Sequence, residues 1–318
     1  MVTTVGIDIG GSSVRAVARD ETGAIVDRYE SMGTRQGGGQ VSAAAVLAFR
    51  RLEAPGCVAV GVGVPGQVER TTGRVSLAVN LGIDGPYDLG PAIAEQIGLP
   101  VVLENDVRAA ALGAHESFAI AGRELESLAV VSIGTGISAG VVASGSLVRG
   151  VRGMAGEVGH VVVDESGPVC RCGQRGCLEV VAGGPAIGRA WPRGDSDAPA
   201  TALFAAAVRG DPAAARVAAR ITGYLATALT WLAAAYDTEI FVLAGGVASA
   251  GDDFLEVMRA RIVERAAGSE LAARRLKPEQ VILADFSDPP GPRGAALAAF
   301  RHSLPERVSP ASKQAINK

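Results

Sequence analysis

The chain has 318 residues, of which 48% are hydrophobic and 20% are charged, with a net charge of −3 and a pI of about 5.7. This balance predicts a folded globular protein rather than a disordered chain, and the acidic charge argues against a nucleic-acid partner. The N-terminal MVTTVGIDIGG lacks a secretory signal pattern, and the apolar run 221–235 is too short and too interrupted to span a bilayer. We therefore expect a cytoplasmic protein with no membrane partner.

The first element is a β-branched strand, residues 3–9, that runs into a glycine-rich bend from Asp8 to Ser13 before a returning strand. Such a bend exposes backbone N–H groups, which suit a phosphate. Asp8 beside it could hold a magnesium ion, which prefers one or two carboxylates together with phosphate oxygens. Taken alone, an ordinary hairpin explains the same residues equally well.

Two buried strands follow in the first half of the chain. Residues 57–64 are almost continuously apolar and end in the sharp turn Gly63-Val64-Pro65-Gly66, where open α/β sheets place their ligands. Residues 100–103 lead through Glu104-Asn105-Asp106 directly into a predicted helix over 107–118. Asp106 is then either a helix N-cap or a general base for a substrate hydroxyl, and both roles are compatible if Asn105 caps the helix.

A change of composition at residues 123–127 predicts a domain boundary. Beyond it, a strand over 128–133, the bend Gly134-Thr135-Gly136 and a returning strand repeat the pattern seen at the start of the chain. Two such bends predict two similar halves that grip a phosphate chain between them. The repeat is a stronger signal than either bend alone.

A cluster of metal-ligand residues comes next. Cys170, Cys172 and Cys177 lie close together, and His160 precedes them. One imidazole and three thiolates make a complete tetrahedral set for a structural zinc ion. A disulfide with a spare thiol is the alternative, which a cytosolic setting disfavours. The same stretch carries Glu157 and Glu179, so a bound metal would also fix two carboxylates.

The last part of the chain alternates helices and strands. Residues 200–209, 212–236, 253–265 and 293–302 have helical patterns, and residues 239–243 and 280–284 read as strands. The strand at 239–243 ends in Ala244-Gly245-Gly246, where a flat ligand or a phosphate can approach the backbone. The polar tail 304–318 is expected to be disordered.

In this order, the motifs DIGGSS, GVPG, END, SIGTGISAG, AGEVGH followed by CRCGQRGCLE, and LAGGV resemble those of the ROK family (repressors, open reading frames, kinases) across residues 5–300. The resemblance implies an α/β, actin-like (ribonuclease H-like) two-domain ATPase fold with a catalytic cleft between the lobes. It places a small domain at 1–118, completed by the helix 293–303, and a large domain with the zinc-binding loop at 119–292.

The resemblance also implies an ATP-dependent hexose kinase that phosphorylates the sugar 6-hydroxyl, with glucose as the first candidate and Asp106 as the catalytic base. It implies structural Zn²⁺, Mg²⁺ with ATP, and a homodimer or homotetramer. The sugar contacts would be Gly66, Asn80, Asn105, Asp106, Glu157, His160 and Glu179. The ATP phosphates would meet Asp8, Gly10, Gly11, Ser12, Gly134, Thr135 and Gly136, and the adenosine would meet Gly245 and Gly246.

Three departures from the family pattern leave alternatives open. The first bend reads Gly-Ser-Ser where the family has Gly-Thr-Lys, so a sugar-binding protein without turnover is one alternative. The segment after Asn80-Leu81 lacks the tryptophan of glucose-phosphorylating members, so an N-acetylhexosamine kinase is another. Residues 287–293 are proline-rich and match poorly. A sugar-responsive repressor is disfavoured, because the first strand begins at Thr3 and precludes an N-terminal helix-turn-helix.

Overall fold

The computed structural model describes residues 2–33, 36–192, 198–286 and 288–303 and contains two five-stranded sheets. The strands are β1 (Thr3–Ile9), β2 (Ser13–Asp20), β3 (Ile25–Met32), β4 (Cys57–Val64), β5 (Gln67–Glu69), β6 (Arg74–Ser76), β7 (Val101–Asn105), β8 (Ser127–Ile133), β9 (Ile137–Ala143), β10 (Ser146–Leu147), β11 (Ile240–Ala244) and β12 (Val281–Leu283). The first sheet has the order β3-β2-β1-β4-β7 and the second β10-β9-β8-β11-β12, while β5 and β6 form a separate hairpin.

The two large sheets share one plan. In each, three strands form an antiparallel meander and two later strands add in parallel to the first strand of that meander. The parallel strands β4 and β11 are apolar and mostly buried, as expected of strands covered on both faces. The repeated strand order gives the chain two similar halves, as the repeated bends predict.

Ten helices pack around these sheets in the described part of the chain. They are α1 (Gly38–Arg50), α2 (Leu89–Ile97), α3 (Asp106–Ile120), α4 (Leu178–Ala182), α5 (Gly184–Ala190), α6 (Pro199–Val208), α7 (Pro212–Tyr236), α8 (Asp252–Ala266), α9 (Glu270–Arg275) and α10 (Pro290–Ser303). The final helix begins at Pro290, three residues before the predicted start at Arg293. The short helices α4, α5 and α9 carry too little periodicity to be predicted from the sequence.

Helices α3 and α10 lie between the two sheets and against each other. α10 packs on β1 and β4 of the first sheet, and α3 packs on β8 and β9 of the second. Their crossing is close because glycines meet backbone there: a Cβ at Gly294 would lie 1.8 Å from the Ala109 carbonyl oxygen, and one at Gly113 would lie 2.0 Å from that of Pro290. The helix that starts at Asp106 is thereby fixed relative to both sheets.

The outer faces of the sheets carry the remaining cores. α1 and α2 cover the first sheet, and α4 to α8 cover the second. α7 is the single described helix long and apolar enough to cross a membrane by length and composition. Half of its most apolar window is buried within the protein, including Leu225 and Leu229, as in a core helix. The predicted tail 304–318 lies outside the described residues.

Candidate active site and metal centre

A cleft of about 430 Å³ opens where the two sheets face each other, and residues of both sheets line it. Asp8 and Gly10 come from the end of β1, and Ala244 and Gly245 come from the end of β11. Asp106, at the start of α3, and Gly291, in the first turn of α10, also line the cleft. The predicted base, the first glycine bend and the Gly245 turn therefore share one cavity.

The two glycine bends are built alike. The Gly10 N–H donates to the Ser13 carbonyl oxygen at 2.9 Å, and the Gly134 N–H donates to that of Gly136 at 2.9 Å. Gly11 and Ser12 are exposed in the first bend, and Thr135 is exposed in the second. Each bend therefore has exposed residues whose backbone and hydroxyl groups can donate to phosphate oxygens, and phosphate binding by both stretches stays a prediction.

Gly245 makes the third glycine turn, and its backbone conformation excludes a side chain. Its φ is +87°, and a Cβ there would lie 2.7 Å from the Ile133 carbonyl oxygen. Gly246 next to it faces open space. A planar ligand can therefore approach the backbone at this position without steric hindrance.

Asp8 and Asp106 both lie beside Gly63 at the end of β4. A Cβ at Gly63 would lie 3.4 Å from Asp8 Oδ1 and 3.6 Å from Asp106 Cα, so the glycine leaves room for both residues. Burial and the nearby charge of Asp106, partly offset by Arg15, raise the pKa of Asp8 to about 7. Burial and the charge of Glu157 also raise the pKa of Asp106. Two carboxylates held this way attract a cation or a proton.

Asn105 caps α3 and also reaches the GVPG turn. Its side-chain oxygen accepts from the N–H groups of Val107 at 3.1 Å and Arg108 at 3.2 Å. Its Nδ2 donates to the Gly66 carbonyl oxygen at 3.3 Å. The prediction that Asn105 can cap the helix is confirmed, so the cap does not require Asp106. Asp106 is left half-buried at the mouth of the cleft.

Glu157, on the loop that carries the four predicted metal ligands, lies close enough to Asp106 for its charge to raise the pKa of Asp106. Burial and the charge of Glu179 raise the pKa of Glu157, while His160 and Arg108 oppose this rise. His160 Nδ1 lies 3.9 Å from Glu179 Oε1. A Cβ at Gly136 would lie 3.0 Å from Glu179 Oε2, so Glu179 also reaches the second glycine bend. Glu157, His160 and Glu179 thus form one polar group, and Glu157 is the member whose charge acts on Asp106.

The four predicted metal ligands converge. The ligand atoms of His160, Cys170, Cys172 and Cys177 all lie within 4.8 Å of one another. Cys170 Sγ is 3.6 Å from His160 Nδ1, and Cys172 Sγ is 3.5 Å from Cys177 Sγ. These separations suit the edges of a tetrahedron around zinc with bonds of about 2.0–2.3 Å. All four cysteines of the chain are free thiols, so the disulfide alternative is not realised.

Asn80 is less closely tied to the other predicted sugar contacts. It is exposed and lies beside the first bend, where a Cβ added at Gly11 would be 3.5 Å from the Asn80 Cβ.

Two residues that sequence reasoning passed over are also close to the site. Arg15 lines the cleft and lowers the pKa of Asp8. The fully buried Glu104 binds Arg108 beneath the α3 start, and its place inside the END motif is the signal that could have identified it.

The fold and the site define a class: a two-lobed, actin-like ATPase with a catalytic cleft between two similar sheets. The ROK family model matches residues 4–301, and the chain belongs to the ROK family. Glucokinase of Halalkalibacterium halodurans is 34% identical over 80% of this chain and 83% of its own length. N-acetylmannosamine kinase of Yersinia pseudotuberculosis is 31% identical over 76% of this chain and 82% of its own. The structure of a ROK glucokinase from Streptomyces griseus with glucose and AMPPNP superposes with a TM-score of 0.75, at 29% identity, over 94% of this chain and 99% of that one.

Proposed function

We propose that the protein is an ATP-dependent hexose kinase that transfers the terminal phosphoryl group of ATP to the 6-hydroxyl of a sugar, with glucose as the preferred substrate. The observation that carries this proposal is the position of Asp106. It lies half-buried at the mouth of a cleft that both sheets line, with its helix capped by Asn105 instead. The similarity to glucokinases supports the same reaction and the same sugar.

Asp106 acts as the general base. Its carboxylate takes the proton from the 6-hydroxyl, the sugar oxygen bonds to the γ-phosphorus, and the bond from that phosphorus to the bridging oxygen breaks to release ADP. The raised pKa of Asp106 brings it closer to neutral pH, where a base works best. The bends at Gly10–Ser12 and Gly134–Gly136 hold the phosphates through backbone donors.

Asp8 is the residue that would hold magnesium. Its carboxylate lines the cleft beside Asp106 and the first bend. Burial, together with repulsion from Asp106, raises its pKa to about 7, and a cation there would stabilise the charged form against both effects. When bound with ATP, magnesium neutralises charge on the transferred phosphate. Gly245 and Gly246 would lie against the adenosine.

The sugar would contact Glu157, His160 and Glu179 on the loop and Asn105, Gly66 and Asn80 on the other side. Hydrogen bonds to sugar hydroxyls discriminate well between sugars, because an analogue that lacks one hydroxyl leaves a buried polar group of the protein unpaired. His160, Cys170, Cys172 and Cys177 would hold a structural zinc ion, which when bound fixes the loop. The free cysteines and their convergence fit that donor set.

We further propose the division into lobes at 1–118, with the last helix, and 119–292. α10 packs on the first sheet, which supports assigning this helix to the first lobe. A cytoplasmic location and a homodimer or homotetramer complete the proposal. Light scattering on the purified protein tests the assembly state.

A coupled assay that records ADP release with magnesium-ATP and a panel of sugars tests the proposed activity. We expect the highest kcat/KM with glucose. N-acetylmannosamine is the second candidate, because a kinase for that sugar is 31% identical to this chain and the tryptophan expected after Asn80-Leu81 is missing. Sugar binding without sugar-dependent ADP release would overturn the kinase proposal and favour a binding protein.

A further inference from the structure

A second cavity, of about 650 Å³, lies outside the catalytic cleft and is rich in arginine. The β5–β6 hairpin forms one wall, and the segment Arg149–Gly153, just before Glu157, forms another. Two glutamates and five arginines line it; the arginines are Arg70, Arg74, Arg108, Arg149 and Arg152. The predicted sugar and ATP contacts do not line this cavity, so the catalytic reaction leaves it unexplained.

The arginine cavity is built around one buried carboxylate. Glu104 is fully buried and accepts from Arg108 Nε at 2.9 Å and from Arg149 Nε at 2.7 Å, while Arg70 Nε lies 3.7 Å away. Burial alone would raise the pKa of Glu104, but Arg149 and Arg108 together hold it below its ordinary value. The cluster is therefore a packed, ordered arrangement rather than a group of solvated surface side chains.

Positive charge remains after this pairing. One carboxylate faces three guanidinium groups, and burial with repulsion from Arg149 lowers the pKa of Arg70. Arg74 forms an ion pair at 2.8 Å with Asp88, an exposed residue that does not line the cavity. Arg152 is exposed and has no ion-pair partner within the described ranges. Arg70 and Arg152 are thus the arginines available to a ligand, and guanidinium groups bind phosphate oxygens in pairs.

We propose that the arginine cavity binds a phosphate-bearing anion, either a sugar phosphate or a short polyphosphate, and that this ligand tunes sugar affinity. The volume of the arginine cavity lies within the usual range for small-molecule sites. Glu104 and Asn105 are consecutive residues of β7, so their side chains point to opposite faces of the strand. The cavity, which Glu104 lines, therefore lies on the other side of β7 from the sugar site, to which Asn105 belongs. Arg108 links the cavity to the sugar site. It donates to the Gly153 carbonyl oxygen at 2.7 Å on the cavity wall, and its charge acts to lower the pKa of Asp106 and of Glu157.

The coupling follows from the walls of the cavity. Gly66, a predicted sugar contact, directly precedes β5, and Glu157 follows the Arg149–Gly153 segment. An anion held by Arg70 and Arg152 would draw the hairpin and this segment together. This shifts the position of Glu157 relative to the sugar, so occupation of the cavity and sugar binding change each other's affinity by the same factor.

The test measures binding of glucose 6-phosphate and of inorganic tripolyphosphate, separately, by calorimetry. The full protein is first saturated with glucose and a non-hydrolysable ATP analogue, so that the catalytic cleft is blocked. The double variant Arg70→Gln/Arg152→Gln removes the two available arginines and leaves the Glu104 pairs with Arg108 and Arg149 intact. Arg216→Gln, at an exposed position on α7, is the matched control.

We expect one equivalent of one of these anions to bind, at least about tenfold more weakly in the double variant and unchanged in the control. The glucose Kd, measured without nucleotide, should shift when that anion is added to the wild type but not to the double variant. Binding of neither anion, equal affinity in all three proteins, or a glucose Kd that ignores the bound anion would overturn the proposal. The anion is detected directly, so failure of the kinase assay would not be mistaken for failure here.

Discussion

At the scale of single residues, Asp106 differs from a capping aspartate because Asn105 already supplies the cap. Asp106→Asn keeps an oxygen that can accept the Val107 N–H, which Asp106 Oδ1 accepts at 2.9 Å. We expect kcat to fall roughly 10²–10⁴-fold, since the base is lost. The sugar Kd should change only a few-fold, because the geometry around the hydroxyl is retained.

Steady-state kinetics with calorimetric sugar binding check this prediction. Glu256→Gln, an exposed carboxylate on α8, is the control and should retain full turnover. Near-normal kcat in Asp106→Asn would show that another group takes the proton.

The ionised carboxylate of Asp8 destabilises the folded state, and the size of this effect depends on pH. Its pKa of about 7 in the folded protein lies above the ordinary value of 3.8, so between these values the folded state keeps a proton that the unfolded chain releases. Its contribution to stability is therefore complete below about pH 4 and is lost as the pH rises towards 7. Asp8→Asn removes this loss, and without magnesium it should be more stable than the wild type by ~2 kcal/mol at pH 8.

Urea unfolding at pH 5 and pH 8, with a metal chelator present, measures the difference. The advantage of Asp8→Asn should be clearly smaller at pH 5, where the wild-type carboxyl is mostly protonated. An advantage of the same size at both pH values would assign the effect to packing against Gly291 rather than to charge.

The predicted site residues divide by the kind of signal they carry. The cysteines, His160 and the glycine bends could be identified because metal ligation and tight turns demand particular residue types close together in sequence. Arg15 and the burial of Glu104 could not be predicted, because a charged residue in a strand reads as a solvated face until the sheets are assembled. Glu104 is buried because three arginines from separate segments close over it, which no local pattern records.

At the scale of elements, the crossing of α3 and α10 connects packing to catalysis. Gly294→Ala would place a Cβ 1.8 Å from the Ala109 carbonyl oxygen, so the helices must separate. We expect a loss of about 2 kcal/mol in stability and a drop in kcat, because α3 carries Asp106 at its first position.

Gly223→Ala is the matched control for this crossing. Gly223 is also helical, but a Cβ there meets nothing within 4 Å, so the change should leave activity intact and raise stability by up to ~1 kcal/mol. Thermal unfolding and kinetics on both variants decide the matter. Equal behaviour of the two variants would remove the close crossing as the cause.

The metal loop gives a second prediction at this scale. Cys172→Ser removes one proposed zinc ligand, whereas Cys57→Ser changes a half-buried thiol outside the cluster. We expect one zinc ion per chain in the wild type and in Cys57→Ser, and a loss of metal in Cys172→Ser. Sugar affinity should then fall about tenfold or more, with a smaller effect on ATP, because His160 and Glu157 lie on the loop.

Metal analysis by mass spectrometry and separate titrations of sugar and nucleotide test this loop prediction. Glu179 reaches both the metal ligands and the second glycine bend, so some loss of ATP affinity is compatible with the geometry. Equal losses for both ligands would mean that the loop supports the whole cleft rather than the sugar side.

Most long elements could be predicted because their hydrophobic pattern is local. The predicted bounds of α7, residues 212–236, are confirmed: Asp211 caps the helix and Pro212 occupies its first position. For α10 the sequence predicts a later start, because the first turn, from Pro290, is rich in proline and glycine and has no apolar periodicity. That turn is helical because tertiary packing against α3 and Asp8 outweighs weak local propensity.

At the scale of the whole molecule, the two halves have the same strand order and contribute glycine turns to one cleft. A phosphate chain held by both sheets would draw the lobes together, and exclusion of water then protects ATP from hydrolysis. We expect the radius of gyration to decrease when glucose and a non-hydrolysable ATP analogue bind together, and to decrease less with either ligand alone. Small-angle scattering at matched protein concentration measures this change. Asp106→Asn, which should still bind both ligands, serves as the control and should close as the wild type does. An unchanged radius with both sites saturated would place the reaction in a preformed cleft and leave the two sheets without a closing role.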